Sequence, residues 1–385
     1  MTTMIHGEVS TGFEPVREVF KALWDDIEVG ASICAYHQGK KVVDLWGGYC
    51  APDGAQAWAA DTLVNVYSTT KGMGSLALAI LADEGKIDYA EKVSTYWPEF
   101  GAAGKQSVTV AQLLSHQAGL CGVETKLTTA DLYDWQKMVN LLAAQRPLWP
   151  LGTGAGYHAI TWGYFPGELI RRITGQTLGE YFHARVAAPL EADFYIGLPE
   201  EHMHRCATMV GPNRARKQPE AGAKPVMPAL FPIALLNPSV SPFKDASSPA
   251  WRRAEIAGAN GQSNARGIAT VYAALAGGGE LNGTRIISQT GLQAALQEEV
   301  DDQLDLVLGK PMRRARGFML NTGYEFGPNN ASFGHTGAGG SIGFADPGQH
   351  LAVGYAMNQM QADANATPRA TLLLDAVYNC LNNST

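Results

Sequence analysis

Three short stretches of this chain hold residue types that can do chemistry together. The first is Ser68-Thr69-Thr70-Lys71, a serine and a lysine three positions apart. It follows an extended-looking run, Leu63 to Tyr67, and precedes Gly72 to Ala82, which is apolar almost all round. That run predicts a buried helix, with Gly85 as its stop. Residues three apart share a helix face, so Lys71 can aim its amine at Ser68. A helix N-terminus carries free N–H groups and partial positive charge, which favours an anion forming at the serine. A lysine buried there can lose its proton and act as a base. An N-cap serine with an unrelated lysine would look the same. The spacing recurs at Ser241-Pro242-Phe243-Lys244, in a proline-rich segment with no long apolar helix behind it.

The second stretch, Trp149 to Ala159, is a glycine-rich loop that delivers Tyr157 just ahead of a predicted helix, Thr161 to Thr174. Pro166 is tolerable only near the start of that helix. A phenol titrates near 10, too high for a base at neutral pH, unless a cation such as Lys71 stabilises the phenolate. A packing role accounts for a lone tyrosine equally well. The third stretch is Gly334-His335-Thr336-Gly337-Ala338-Gly339-Gly340-Ser341. Glycines on a strand edge let a substrate backbone come close. A backbone N–H here, with that of Ser68, can make an oxyanion hole. A flexible bulged hairpin is the plainer alternative.

Other patterns are weaker. Gly339-Gly340-Ser341-Ile342-Gly343 spells the nucleophile elbow of a different hydrolase class. That elbow needs a strand, a turn and a helix, with an acid and a histidine downstream. Here Ser341 leads into another strand, and His350 is the only histidine that follows. His202, His204 and Cys206 have strand-like zinc spacing but no second cluster, so ordinary packing is the better reading and no metal site is expected. Glu298, Glu299, Asp301 and Asp302 read as a solvated face.

The elements that must position these residues follow from periodicity. Glu14 to Ile27 reads as an amphipathic helix. Ala31 to Tyr36 and Lys41 to Trp46 read as strands joined by a His37-Gln38-Gly39-Lys40 hairpin. Ala331 to His335, Ser341 to Ala345 and Leu351 to Met357 read as further strands, with Thr367 to Leu381 as a closing helix. Lys71 to about Glu200 is richer in helical periodicity. The expected fold is therefore α+β: one antiparallel sheet built from both termini, flanked by helices, with a mostly helical domain inserted. The boundaries drawn are 1–66 and 267–385 for the α/β unit and 67–266 for the insertion. A proline-rich loop, 212–249, belongs to the insertion as a substrate-site wall or a surface wrap.

Composition narrows the class. The chain has 385 residues, 46% apolar and 17% charged, the balance of a globular protein with a large core. Its formal net charge is −7, which argues against nucleic-acid binding. No apolar run approaches the roughly 18 residues of a membrane span. Five cysteines without CxxC spacing suit free thiols in a reducing compartment. With no recognisable secretory signal, the expected location is the cytoplasm.

Together, Ser68-x-x-Lys71, Tyr157 and His335-Thr336-Gly337 occur in the order used by serine β-lactamases and penicillin-binding proteins. The chain most resembles the class C β-lactamase-like esterases, the family VIII carboxylesterases. Leu113 to Leu120, Asn264 to Gly267 and Gly334 to Pro347 also resemble family segments, so the likeness covers nearly the whole chain. It implies an acyl-enzyme on Ser68, with Tyr157 and Lys71 as bases. It implies an oxyanion hole from the N–H groups of Ser68 and Ala338, and a pocket lined by His335, Gly337 and Trp149. The implied substrate is a short-chain carboxylic ester, with no cofactor. Two departures, Ala159 for the asparagine of Tyr-x-Asn and His335 for the lysine of Lys-Thr-Gly, remove groups that help hold a β-lactam. A β-lactamase or D-amino-acid peptidase, an acyltransferase and a non-catalytic binding protein stay as alternatives. Oligomeric state is left open.

Overall fold

The computed structural model describes residues 4–25, 28–212, 227–361 and 368–383. Its centre is a nine-stranded, wholly antiparallel sheet. The strands are β1 (Ile5–Val9), β2 (Gly30–His37), β3 (Lys40–Gly48), β4 (Glu298–Leu304), β5 (Pro311–Ala315), β6 (Met319–Leu320), β7 (Phe333–Thr336), β8 (Ile342–Asp346) and β9 (Leu351–Met357). Their order across the sheet is β1-β3-β2-β9-β8-β7-β6-β5-β4. N-terminal strands thus pair with C-terminal ones, through the register Leu351↔His37 to Met357↔Ala31. The expected β2–β3 hairpin turns on Gln38 and Gly39, both at positive φ (51° and 74°). A two-residue turn with that geometry suits the strand twist.

Both faces of the sheet are covered, so its central strands are buried along their whole length. On one face, helices α1 (Glu14–Ala22) and α4 (Pro368–Asn383) pack Val16, Phe20, Leu373 and Val377 against Ile33, Phe344, Val353 and Tyr355. Helix α3 (Ala265–Ala276) lies on the other face. It comes so close that a Cβ on Gly354 would sit 2.4 Å from the Ala265 carbonyl oxygen. The outer residues of the two terminal helices expected from sequence, Asp26, Ile27 and Thr367, fall outside the described residues.

Helix α2 (Thr70–Asp83) runs through a second core of helical segments, and its residues from Thr70 to Leu81 are all buried. Gly85 follows it in the left-handed region (φ 70°), as a stop requires. The stretch read as one helix from Thr161 begins as a 3-10 turn, Thr161–Gly163, and becomes α-helical over Tyr164–Thr174. Pro166 falls in the first turn of that α-helix, where its missing N–H costs nothing.

Three differences from the sequence reading have plain causes. Strands β1, β5 and β6 were not expected, and β1 forms an edge with alternating exposure. The acidic run 298–302 lies in β4, the opposite edge, where Val300 is the one buried residue. Its carboxylates are solvent-facing as expected, but Glu298 pairs with Arg313 and Glu299 with Arg316. The proline-rich segment, described from Met227 onward, is not wholly irregular, because Phe231–Leu235 and Pro249–Arg253 form short helices. Each has a proline in its first turn. All five cysteines are free, four of them buried. No helix among the described residues is long and apolar enough to cross a membrane.

Candidate active site

Three elements meet at one point. Tyr67, at φ 47°, turns the chain sharply so that Ser68 stands just ahead of α2, with Lys71 in its first turn. The Lys71 amine lies 3.1 Å from Ser68 Oγ. It also donates to the carbonyl oxygens of Ala159 and Gly258, each at 2.6 Å. These three oxygens match the three donors of an ammonium, and a neutral amine would fill the same places with two N–H bonds and a lone pair turned to the serine hydroxyl. Lys71 is fully buried, and burial, with Arg314 as a cationic neighbour, holds its pKa well below the ordinary lysine value. Ser68 is half-buried, so the member of the pair that reaches the mouth is the hydroxyl.

The strap from Gly154 to His158 brings Tyr157 beside them. The Lys71 amine is 4.7 Å from the centre of the Tyr157 ring, and Ser68 is near enough to the Tyr157 hydroxyl to ease its ionisation. His116 anchors the strap twice, its carbonyl accepting Gly156 N at 3.0 Å and its Nδ1 accepting His158 N at 2.9 Å. His158 is satisfied on both ring nitrogens, by Gly156 O and Leu120 N. Burial pushes its pKa down to about 3. Trp149 packs under the strap and spends its indole N–H on Gly154 O at 3.1 Å. Around Tyr157 it shares an apolar cluster with Val307 and with Ala234 and Ile233 of the proline-rich segment.

One expectation is corrected. A phenolate stabilised by Lys71 would lower the Tyr157 pKa. Burial instead pushes it above the ordinary phenol value, and the hydrogen bond from Ser68 and the nearby Arg314 only partly oppose this. Burial thus disfavours both an ammonium at Lys71 and a phenolate at Tyr157.

Strand β7 carries the third stretch. Gly337 and Gly340 close a tight turn after it, Gly337 N donating to Ser341 O at 2.7 Å. A Cβ at Gly337 would lie 2.1 Å from Ser341 Oγ and 2.4 Å from Val66 O, so only glycine fits. Among the described residues neither Ser68 N–H nor Ala338 N–H finds an acceptor in the chain. Unspent backbone donors of this kind are what an oxyanion hole requires. Arg369, fully buried in α4, fixes this turn by donating to Gly339 O at 2.7 Å. Glu28 balances its charge at 2.8 Å. His335 is 1% exposed and its ring centre is 6.1 Å from that of Tyr157. Its Nδ1 lies 2.6 Å from Thr336 O, which places the proton on Nδ1. Its Nε2 has no partner among the described residues and is an acceptor.

The competing motifs are structural. Ser341 Oγ donates to Val66 O at 2.8 Å and contacts Thr69 Oγ1 at 3.1 Å, tying β8 to the Ser68 turn. His350 stands at the far end of the β8–β9 hairpin, beyond the Asp346↔Leu351 pair. Ser241 Oγ caps Lys244 N at 3.1 Å, and Lys244 is exposed. Among the described residues no cluster fit for a metal forms, and His202 contacts Arg205 instead.

Sequence reasoning missed the carbonyls of Ala159 and Gly258, and the buried pair Arg314–Asp305 behind Tyr157. Backbone acceptors leave no residue-type signal. Asp305 does leave one, as a lone acid within Leu304 to Leu308.

Comparison with known proteins identifies the family and the fold. The model of the Beta-lactamase family matches residues 16–378. The chain is 34% identical over 357 residues to the esterase/beta-lactamase LipL of Mycobacterium tuberculosis, covering 89% of this chain and 80% of that one. The crystal structure of a family VIII carboxylesterase is 47% identical, with a TM-score of 0.92 over 98% of this chain and 100% of that one. A penicillin-binding protein homologue from Caulobacter crescentus is 37% identical, with a TM-score of 0.88 over 98% and 100%.

Proposed function

The chain belongs to the Beta-lactamase family, and from that premise we propose that it is a serine carboxylesterase working through an acyl-enzyme on Ser68. The observation that carries this reading is the hydroxyl of Ser68 held 3.1 Å from the amine of a fully buried lysine. Likeness to a family VIII carboxylesterase at 47% identity supports the ester as substrate.

In this reading Lys71 takes the proton of Ser68 as Oγ attacks the ester carbonyl, and the amine becomes an ammonium. The N–H groups of Ser68 and Ala338 receive the oxyanion, a pair in which one donor is typically worth ~10²–10³ in rate. Tyr157 gives its phenolic proton to the departing alkoxide and recovers one from Lys71. The same groups then activate water against the acyl-enzyme, and Ser68 regains its proton. No cofactor enters the reaction. His335, a neutral ring with a bare Nε2, suits the hydroxyl of the leaving alcohol better than a carbonyl. Gly337, which fits only because it lacks a Cβ, sets the turn that carries the Ala338 N–H, and Trp149 backs an apolar wall for the short acyl chain.

We also read the chain as a discontinuous α/β unit with an inserted helical one, the site lying between them. Strands from both ends of the chain support this. A boundary at 267 would cut α3, so the α/β unit is better begun at Asn264, which caps that helix. Five free thiols support a cytoplasmic location.

The test is relative turnover of p-nitrophenyl butyrate, a chromogenic cephalosporin and a D-alanine anilide. Ester turnover should exceed the other two by at least a hundredfold. Faster β-lactam or anilide cleavage would move the protein to a β-lactamase or peptidase, and ester hydrolysis diverted to added alcohol would mark an acyltransferase.

A further inference from the structure

Behind Tyr157 lies a buried ion pair that the reaction above does not use. Arg314, on β5, donates through Nη2 to Asp305 Oδ2, and the two side chains are 2% and 0% exposed. The other oxygen of Asp305 accepts three backbone N–H groups, from Tyr157 at 3.1 Å, Val307 at 2.8 Å and Leu308 at 2.7 Å. Asp305 is therefore tied to the strap that carries Tyr157. The guanidinium sits 6.0 Å from the centre of the Tyr157 ring. Its Nε and Nη1 are buried with no partner.

A guanidinium keeps its charge at any working pH. Burying one with three N–H donors unmet is unfavourable, and a plain structural role would be served better by a fully bonded or apolar side chain. What the arrangement supplies is a fixed positive field at a site of low dielectric, where charge acts over longer range than in water. The groups that face Lys71 are Ser68 and the carbonyls of Ala159 and Gly258, with the Tyr157 ring over the amine. His335 on β7, His116 and His158 complete the surroundings, and burial keeps all three neutral. The carboxylates of Asp305 and Glu325 act on Tyr157, and Lys310 acts on His335.

We propose that Arg314 is an electrostatic positioning residue of this site: held by Asp305 against Tyr157, it disfavours a second positive charge on Lys71 and favours negative charge developing at Tyr157 and Ser68. It keeps the base unprotonated before the reaction and eases the charge that forms during it. This rests on the reading of Ser68, Lys71 and Tyr157 given above.

The experiment follows the rate at which a serine-directed phosphonate inactivates the protein across pH. Wild type, Arg314→Gln, Arg314→Lys and Asp305→Asn are compared, each checked by circular dichroism. Wild type should take the label at Ser68 and show an acid limb where Lys71 becomes protonated. Without the cation protonation is easier, so Arg314→Gln should move that limb up by about one pH unit. Arg314→Lys should leave it near wild type. Asp305→Asn keeps an oxygen for the three N–H groups but removes the counter-charge, so its limb should move down. A uniform loss of rate in Arg314→Gln with the limb unmoved would overturn the proposal. If Arg314→Gln does not fold, an unmoved limb in Asp305→Asn overturns it instead. Wild type labelled elsewhere than Ser68 would refute the underlying reading, which is a separate outcome.

Discussion

Ser68 works through two partners, Lys71 and Tyr157, whose protonation depends on burial that no residue spacing reports. Burial and the nearby Arg314 disfavour a charge on Lys71, and burial disfavours a phenolate at Tyr157. Activity should therefore fall on the acid side as Lys71 takes up a proton, and a pH profile of kcat/KM would show that limb. Tyr157→Phe keeps the ring and its packing but removes the proton carrier, so ester kcat should fall by ~10²–10⁴ with the fold intact. Ser341→Ala is the contrasting variant. It breaks contacts to Val66 O and Thr69 Oγ1, so it should lower stability by about 1–2 kcal/mol in urea titration while ester turnover stays within tenfold.

Individual elements were read best where periodicity and turn chemistry agree. The β2–β3 hairpin and the buried helix α2 appear close to where alternation, a glycine turn and an apolar run put them. The edge strands β1 and β4 escaped, since an edge exposes alternate or most side chains and its composition resembles a loop. The turn after β7 was recognised by its glycines, but not what holds it. Arg369 reaches it from a helix that begins some 30 residues later in the chain, a contact that only the fold creates. Arg369→Met should release the Gly339 carbonyl and loosen the Ala338 N–H. The expected result in steady-state kinetics is kcat down by ~10–10² with KM little changed, because an oxyanion donor acts mainly in the transition state. Gly337→Ala should be worse, losing both turnover and folding yield, because its Cβ would overlap Ser341 Oγ and Val66 O.

For the molecule as a whole, the antiparallel sheet from both termini was foreseeable from short strand connections at each end. The second core of helical segments lacks a single dominant period, and only its general helical character could be read. Three buried histidines, His116, His158 and His335, cluster near the site, and burial lowers the pKa of each. For His158 the fall is from 6.5 to about 3. An unfolded chain binds a proton there once pH drops below about 6.5, whereas the folded chain does not until about 3. Stability is thus undiminished above that upper value and falls as pH is lowered through the window. Each such group contributes about 1.4 kcal/mol per pH unit. Thermal melts from pH 7 to pH 4 should show a steep loss in Tm, and His158→Gln should flatten it if the variant keeps the contacts to Gly156 and Leu120.

The most direct test of the account is to treat the protein with a serine-directed phosphonate and map the modified peptide by mass spectrometry, with p-nitrophenyl butyrate turnover followed in parallel. The account predicts one label, on Ser68, and loss of turnover in step with labelling. A label on Ser341 or Ser241, or full turnover by a protein labelled at Ser68, would contradict it.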